Sequence, residues 1–216
     1  MASLQTWNPY YLALYFGARA FTNTLGSLEI VGTENIPAGA CVFAANHVSH
    51  LDPPLVGSCI PREIHFLARK TLFANPVLGH IIARANAIPV DLEKGMEVGT
   101  FKRLRHLAAS GESTLIFPEG TRSASGEMGD AKGGTGMLAC SMSLTVVPVR
   151  VFGAYDLLPR GSRLPVPGAR VSVVFGRPLK PADFDPGKKH PDRYLEATKV
   201  IMEAIAALPE PERAIA

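Results

Sequence analysis

Two short runs carry side chains whose types and spacing suit proton transfer and anion binding. One is Asn46-His47-Val48-Ser49-His50-Leu51-Asp52; the other is Phe117-Pro118-Glu119-Gly120-Thr121-Arg122-Ser123. In an unbroken helix, residues five apart diverge by about 140°, which would separate His47 from Asp52. Here an apolar run, Cys41–Ala45, precedes the motif and Pro53 follows it, so the segment reads as a strand end, a turn and a Pro-led helix start. Such a bend can fold the carboxylate onto the imidazole, fixing one tautomer and leaving the other ring nitrogen as a base. In the second run, Glu119 and Arg122 flank a glycine turn that lets backbone approach a ligand closely. The planar fork of Arg122 suits phosphate. Each run also has a plainer use. Asp52 before a proline is a good helix cap, and Glu119 with Arg122 could form an ordinary surface ion pair. As a metal site, His47, His50 and Asp52 match the common zinc spacings poorly.

The elements that must position these residues alternate along the chain. Strands are predicted at Leu28–Val31, Cys41–Ala45, Ile64–Ala68, Ala87–Val90, Ser113–Phe117, Leu144–Phe152 and Arg170–Phe175. Helices are predicted at Pro9–Leu25, Asp52–Cys59, Val77–Arg84, from Val98 to a stop at Gly111, at Thr135–Ser141 and near the C-terminus from Tyr194 to Leu208. Strands separated by helices indicate an α/β fold, with a mixed, largely parallel sheet flanked by helices. Both chemical runs then lie just after strands, where open α/β sheets bind ligands. There is no GxSxG elbow and no GxxxxGK[ST] loop, and Lys132-Gly133-Gly134-Thr135-Gly136 lacks the phosphate-loop spacing. A serine hydrolase working through a covalent acyl-enzyme is therefore disfavoured.

Composition sets outer limits. The 216 residues are 47% hydrophobic and 19% charged, enough for a sizeable core and unlike a disordered chain. A net charge of +3 is too small to argue for nucleic acid but suits a phosphate-bearing partner. Three cysteines without a CxxC fit buried free thiols better than a disulfide framework or a zinc site. Arg19 is the sole charged residue among the first 28, a stretch that also holds Trp7, Tyr10, Tyr11, Tyr15, Phe16 and Phe21. That stretch lacks the roughly 18 uninterrupted apolar residues of a membrane span. It also lacks the basic start and cleavage site of a signal peptide. It divides the chain into residues 1–27, an amphipathic aromatic helix for a membrane interface, and residues 28–216, the α/β domain. The alternative is that this helix packs on its own domain. Lys102, Arg103, Arg105 and His106 face away from the apolar stripe of their helix, as a solvated face or as a dock for an anionic leaflet, a coenzyme A phosphate or an acidic carrier protein.

His47 and Asp52 with four residues between them, followed about 70 residues later by Phe117–Ser123, resemble the glycerolipid acyltransferase family, best known for 1-acylglycerol-3-phosphate acyltransferases. Two weaker blocks agree: Ala87-Ile88-Pro89-Val90-Asp91 and Val146-Val147-Pro148-Val149. The resemblance covers roughly residues 28–180. It implies transfer of an acyl group from a thioester, acyl-CoA or acyl carrier protein, to the free hydroxyl of 1-acylglycerol 3-phosphate, at the cytoplasmic face of a membrane and with no further cofactor. His47 would be the base and Asp52 its orienting carboxylate. Glu119, Gly120, Thr121, Arg122, Asn46 and Lys132 would bind substrate. One position departs from the pattern. The family's second block usually ends Asp-Arg, and that arginine helps hold the acceptor phosphate; here Leu92 follows Asp91. Either a neighbour such as Arg84 or Lys94 substitutes, or the head group differs, as in lyso-ornithine lipid or glycerol 3-phosphate. A thioesterase and a non-catalytic lipid binder are the competing function classes.

Overall fold

The computed structural model describes residues 7–91, 97–162 and 164–212. Leu92 and Lys94 lie outside the described residues. Seven strands form one sheet: β1 (Gly26–Val31), β2 (Cys41–Ala45), β3 (Ile64–Arg69), β4 (Ala87–Val90), β5 (Ser113–Ile116), β6 (Thr145–Phe152) and β7 (Ala169–Phe175). Their order is β1-β7-β6-β2-β5-β3-β4, and every pairing is parallel except β6 with β7. The sheet is thus mixed and largely parallel, as the alternating pattern predicts. The chain leaves β2 for β3 and β4 on one side, and β5 then returns to the gap between β2 and β3. Such a reversal opens a crevice at the carboxyl ends of the strands.

Helices cover both faces, so the central strands are apolar on both sides. Cys41, Phe43 and Ala45 of β2 belong to one core. That core takes in Leu55, Val56 and Cys59 from α2 (Asp52–Cys59) and Tyr11 from α1 (Pro9–Leu25). Val42 and Ala44 face a second core with Leu138 and Ala139 of α5 (Gly134–Met142) and Ile201 and Ile205 of α8 (Arg193–Ala206). The remaining helices are α3 (Pro76–Arg84), α4 (Val98–Ala109), α6 (Ala154–Leu157) and α7 (Pro181–Phe184). The short α6 and α7 carry no periodic sequence signal and were not predicted. All three cysteines are buried and free.

The aromatic N-terminal helix starts as its sequence suggests. The Asn8 side chain accepts from Tyr10 N–H at 3.0 Å, and Pro9 occupies the first turn. One face docks on the domain: Tyr11 stacks on Phe66 of β3 and its hydroxyl accepts from Ile64 N–H at 3.3 Å, while Trp7 packs edge-on against Tyr11 and Tyr15 within the N-terminal segment. Tyr10, Phe16 and Phe21 remain exposed, Phe16 at 53%. Among the described residues no helix is long and apolar enough to cross a membrane.

Helices α5 and α8 pack so closely that a Cβ on Gly136 would lie 2.0 Å from the Tyr194 carbonyl oxygen. The Gly136 N–H donates instead to Thr198 Oγ1 at 2.9 Å. Overpacking a rigid contact costs about 1–3 kcal/mol. Gly136→Ala should therefore lower the thermal midpoint by several degrees in a calorimetric scan, and an unchanged midpoint would contradict the close approach.

Candidate active site

Where β2 ends, the chain peels away from the sheet but stays attached to it. The Asn46 amide takes over the ladder with β6: Nδ2 donates to the Val151 carbonyl at 3.0 Å, and Oδ1 accepts from Val151 N–H at 2.7 Å. The next residue, His47, is clamped at both backbone ends. Its N–H donates to Glu119 Oε1 at 2.8 Å, and its carbonyl accepts from Ser123 N–H at 2.7 Å. The backbone of the first chemical run is therefore fixed by the second.

Asp52 opens α2 and is fully buried. One oxygen, Oδ2, receives three donors: His47 Nδ1 at 2.8 Å and the N–H groups of Val48 and Ser49, both at 2.7 Å. An ionised carboxylate only accepts, so Nδ1 carries the proton of a neutral imidazole and Nε2 keeps its lone pair. The opposite constraint on the ring is a face. Phe117, at the end of β5, stacks on His47 with centroids 4.0 Å apart and planes 20° apart. The bend thus folds the Asp52 carboxylate onto the His47 imidazole. Among the described residues, no group of three or more His, Cys, Asp or Glu side chains gathers as a metal site.

Glu119 is 2% exposed. Its Oε1 accepts from His47 N–H and its Oε2 from Gly129 N–H, each at 2.8 Å. Burial raises its carboxyl pKa, while those two backbone donors pull it back. The carboxylate thus pins the His47 loop to the glycine-rich loop. Gly120 turns the chain with φ +64°, a conformation that favours glycine. Lys132 lies across that turn, its side-chain carbon 3.1 Å from where a Gly120 Cβ would sit.

A cleft of about 850 Å³ opens beside His47. Gly120, Thr121, Arg122 and Lys132 line its polar part, together with Arg69 and Arg160. Tyr11, Leu14, Pro54, Phe66, Leu78 and Ile81 line an extended apolar part. Asn46 and Glu119 sit behind the wall and act on the loops that form it. Arg69 Nη2 donates to Thr121 Oγ1 at 3.0 Å, and Arg160 Nη1 donates to the Arg122 carbonyl at 2.9 Å. Burial, then the Arg160 and Arg69 charges, push Arg122 below its ordinary value. Burial and the nearby Arg122 likewise depress His50, keeping its imidazole neutral around pH 7. Arg84 instead lies over the Tyr10 ring, 5.3 Å from its centroid. The sequence reading did not single out Arg69, Arg160 or Phe117 as site residues. Arg69 ends a parallel strand, and that position was the available signal for it.

Residues 27–152 match the family model described as Acyltransferase. A 1-acyl-sn-glycerol-3-phosphate acyltransferase of Bacillus subtilis is 32% identical, over 74% of this chain and 77% of its own length. A chloroplastic protein of that name from Brassica napus is 30% identical, over 70% of this chain and 44% of its own. The chain spans about half the length of the plant relatives it matches. The crystal structure of the 1-acyl-sn-glycerophosphate acyltransferase of Thermotoga maritima superposes with a TM-score of 0.72 at 27% identity, covering 96% of this chain and 84% of that one.

The Glu119 clamp makes a stability prediction. Glu119→Gln turns one acceptor into a donor that must face a backbone N–H of His47 or Gly129. Leaving buried donors unmatched costs about 1–3 kcal/mol. Denaturant unfolding should show that loss, and a variant as stable as the parent would mean the clamp carries no energy.

Proposed function

We propose, from the premise that this chain belongs to the acyltransferase family, that it transfers a fatty acyl group from a thioester to the free hydroxyl of 1-acylglycerol 3-phosphate, forming phosphatidic acid. The observation that carries this reading is the His47–Asp52 bond at the mouth of a cleft that is cationic in one part and apolar in the rest.

A thioester is already activated, so the protein needs no nucleophile of its own. It must hold the acceptor hydroxyl against the carbonyl carbon and remove its proton. Nε2 of His47 takes that proton as the new O–C bond forms. Asp52 orients the ring and stabilises the imidazolium. The C–S bond then breaks and the proton returns to the departing thiolate, so atoms and charge balance. Arg122, Thr121 and Lys132 seat the phosphate, while Asn46 and Glu119 hold the loops in register. The apolar part of the cleft accommodates acyl chain. Positioning of two bound substrates supplies much of the remaining acceleration. Acyl-CoA and acyl carrier protein both meet these requirements as donors.

The exposed aromatics of α1 fit a membrane interface, since Phe16 and Phe21 are exposed and outside the core while Trp7 and Tyr11 belong to it. Replacing Phe16 and Phe21 together by serine leaves the Trp7, Tyr10 and Tyr11 contacts with the domain intact. It should reduce flotation with anionic phospholipid vesicles; equal flotation would remove α1 from membrane binding.

Thiol release from acyl-CoA in the presence of lysophosphatidate tests the reaction. His47→Ala should lower kcat by roughly 10²–10⁴-fold in a folded protein. Asp52→Asn should approach the same loss, because an amide beside Nδ1 favours the wrong tautomer. Near-normal turnover in folded His47→Ala would sink the mechanism. Release that needs no lysolipid would make the protein a thioesterase.

A further inference from the structure

His47 is held by two contacts of different kinds. Asp52 Oδ2 takes its Nδ1 edge at 2.8 Å, and Phe117 covers one face of its ring. The centroids of that stack are 4.0 Å apart and the planes 20° apart. The other ring pairs of the described residues stand 5.2 to 6.2 Å apart. Two neutral rings prefer an edge-on or offset approach to a near-parallel overlap this close. A cationic ring prefers the face, where the π-electrons lie. The arrangement therefore gains most when the His47 ring is charged.

Phe117 is itself well anchored. It follows β5 directly, packs against the first core and lines the cleft. Its carbonyl accepts from Gly120 N–H at 3.0 Å, so the turn that carries Arg122 closes on it. The Pro118 carbonyl accepts from Lys132 N–H at 2.9 Å, which ties the next residue to the glycine-rich loop. The His47 side chain is 17% exposed, so water screens the stack little.

We propose that Phe117 is a positioning residue of the acyl transfer, its ring face supporting the imidazolium that His47 becomes. This role rests on the acyl-transfer reading above. In that reaction the acceptor hydroxyl gives its proton to Nε2 as its oxygen forms the ester bond. The C–S bond then breaks, and the proton leaves on the thiolate. The imidazole is neutral before attack and cationic near the transition state. Phe117 faces the ring in both states, and the contact is stronger in the second. An interaction that strengthens toward the transition state lowers the barrier. Asp52 supports the same charge from the ring's edge, so the imidazolium is met on an edge and a face together.

Fluorinated phenylalanines at position 117, from one fluorine to five, withdraw electron density from the ring face and alter its shape little. Acylation of lysophosphatidate from acyl-CoA would be followed at steady state. The kcat should fall stepwise, by roughly 5- to 30-fold across the series, which corresponds to about 1–2 kcal/mol of cation–π attraction. Both KM values should stay within about twofold. Phe117→Leu keeps apolar bulk without a π face and should lose as much; Phe117→Tyr should recover most of the rate. In a His47→Ala background, Phe117→Leu should cost nothing further, because its effect passes through the imidazole. A flat fluorine series, a change confined to either KM, or an equal loss from Phe117→Leu with and without His47 would overturn the role. If the unsubstituted protein leaves lysophosphatidate unacylated, the acyl-transfer reading falls, and this role with it.

Discussion

A buried carboxylate that takes three hydrogen bonds on one oxygen governs the geometry of the site. Two backbone N–H groups, of Val48 and Ser49, and the His47 ring converge on Asp52 Oδ2. Those three donors come from consecutive or nearly consecutive residues, so satisfying them forces the chain into a tight bend. The bend ends β2, starts α2 and aims one imidazole in a single step. A carboxylate taken out of water needs such donors, because an unpaired buried charge is very costly. The aspartate therefore shapes the backbone and orients the imidazole through the same contacts. The expected use as a helix cap is not what the structure shows: Leu51 precedes α2 as its cap residue, and the Asp52 side chain takes its donors from residues 47–49 before the helix, because the bend turns it back toward them.

The second motif works in two directions. Its glutamate faces inward and spends both oxygens on backbone, one on the histidine loop and one on the glycine-rich loop. Its arginine faces the cleft. Phe117 stacks on one face of the imidazole and sets its plane. His47 and the Gly120–Arg122 turn are thereby held as one unit by hydrogen bonds across 72 residues of chain. In the proposed reaction a loose connection between them would let the acceptor hydroxyl drift from His47, and reaction rates fall steeply with misplacement of that kind.

The strands and long helices were largely legible in the order of residues. Cys41–Ala45, Ala87–Val90 and Pro9–Leu25 form as the patterns predict. Apolar periodicity and Pro or Asn caps are local signals, and local signals survive folding when the core agrees with them. The helices α6 and α7 were not legible, since four residues hold too little periodicity to register. The aromatic helix shows a finer limit. Its sequence suits a greasy surface of any kind, and the fold divides it: Trp7 and Tyr11 are buried in the core, while Phe16 and Phe21 stay exposed.

The order of residues by itself determined the chemistry on offer: a histidine with an aspartate after a bend, and an arginine on a glycine turn. Motif spacing conveys this because the groups in each motif are neighbours along the chain. Only the tertiary structure decided which carboxylate faces backbone and which residues face the cleft. It alone brought Arg69 and Arg160 to the same turn as Arg122. Such meetings depend on strand order, in which β5 returns between β2 and β3. The hydrogen bonds and charges that settle them act through space, between residues that carry no mark of each other in sequence.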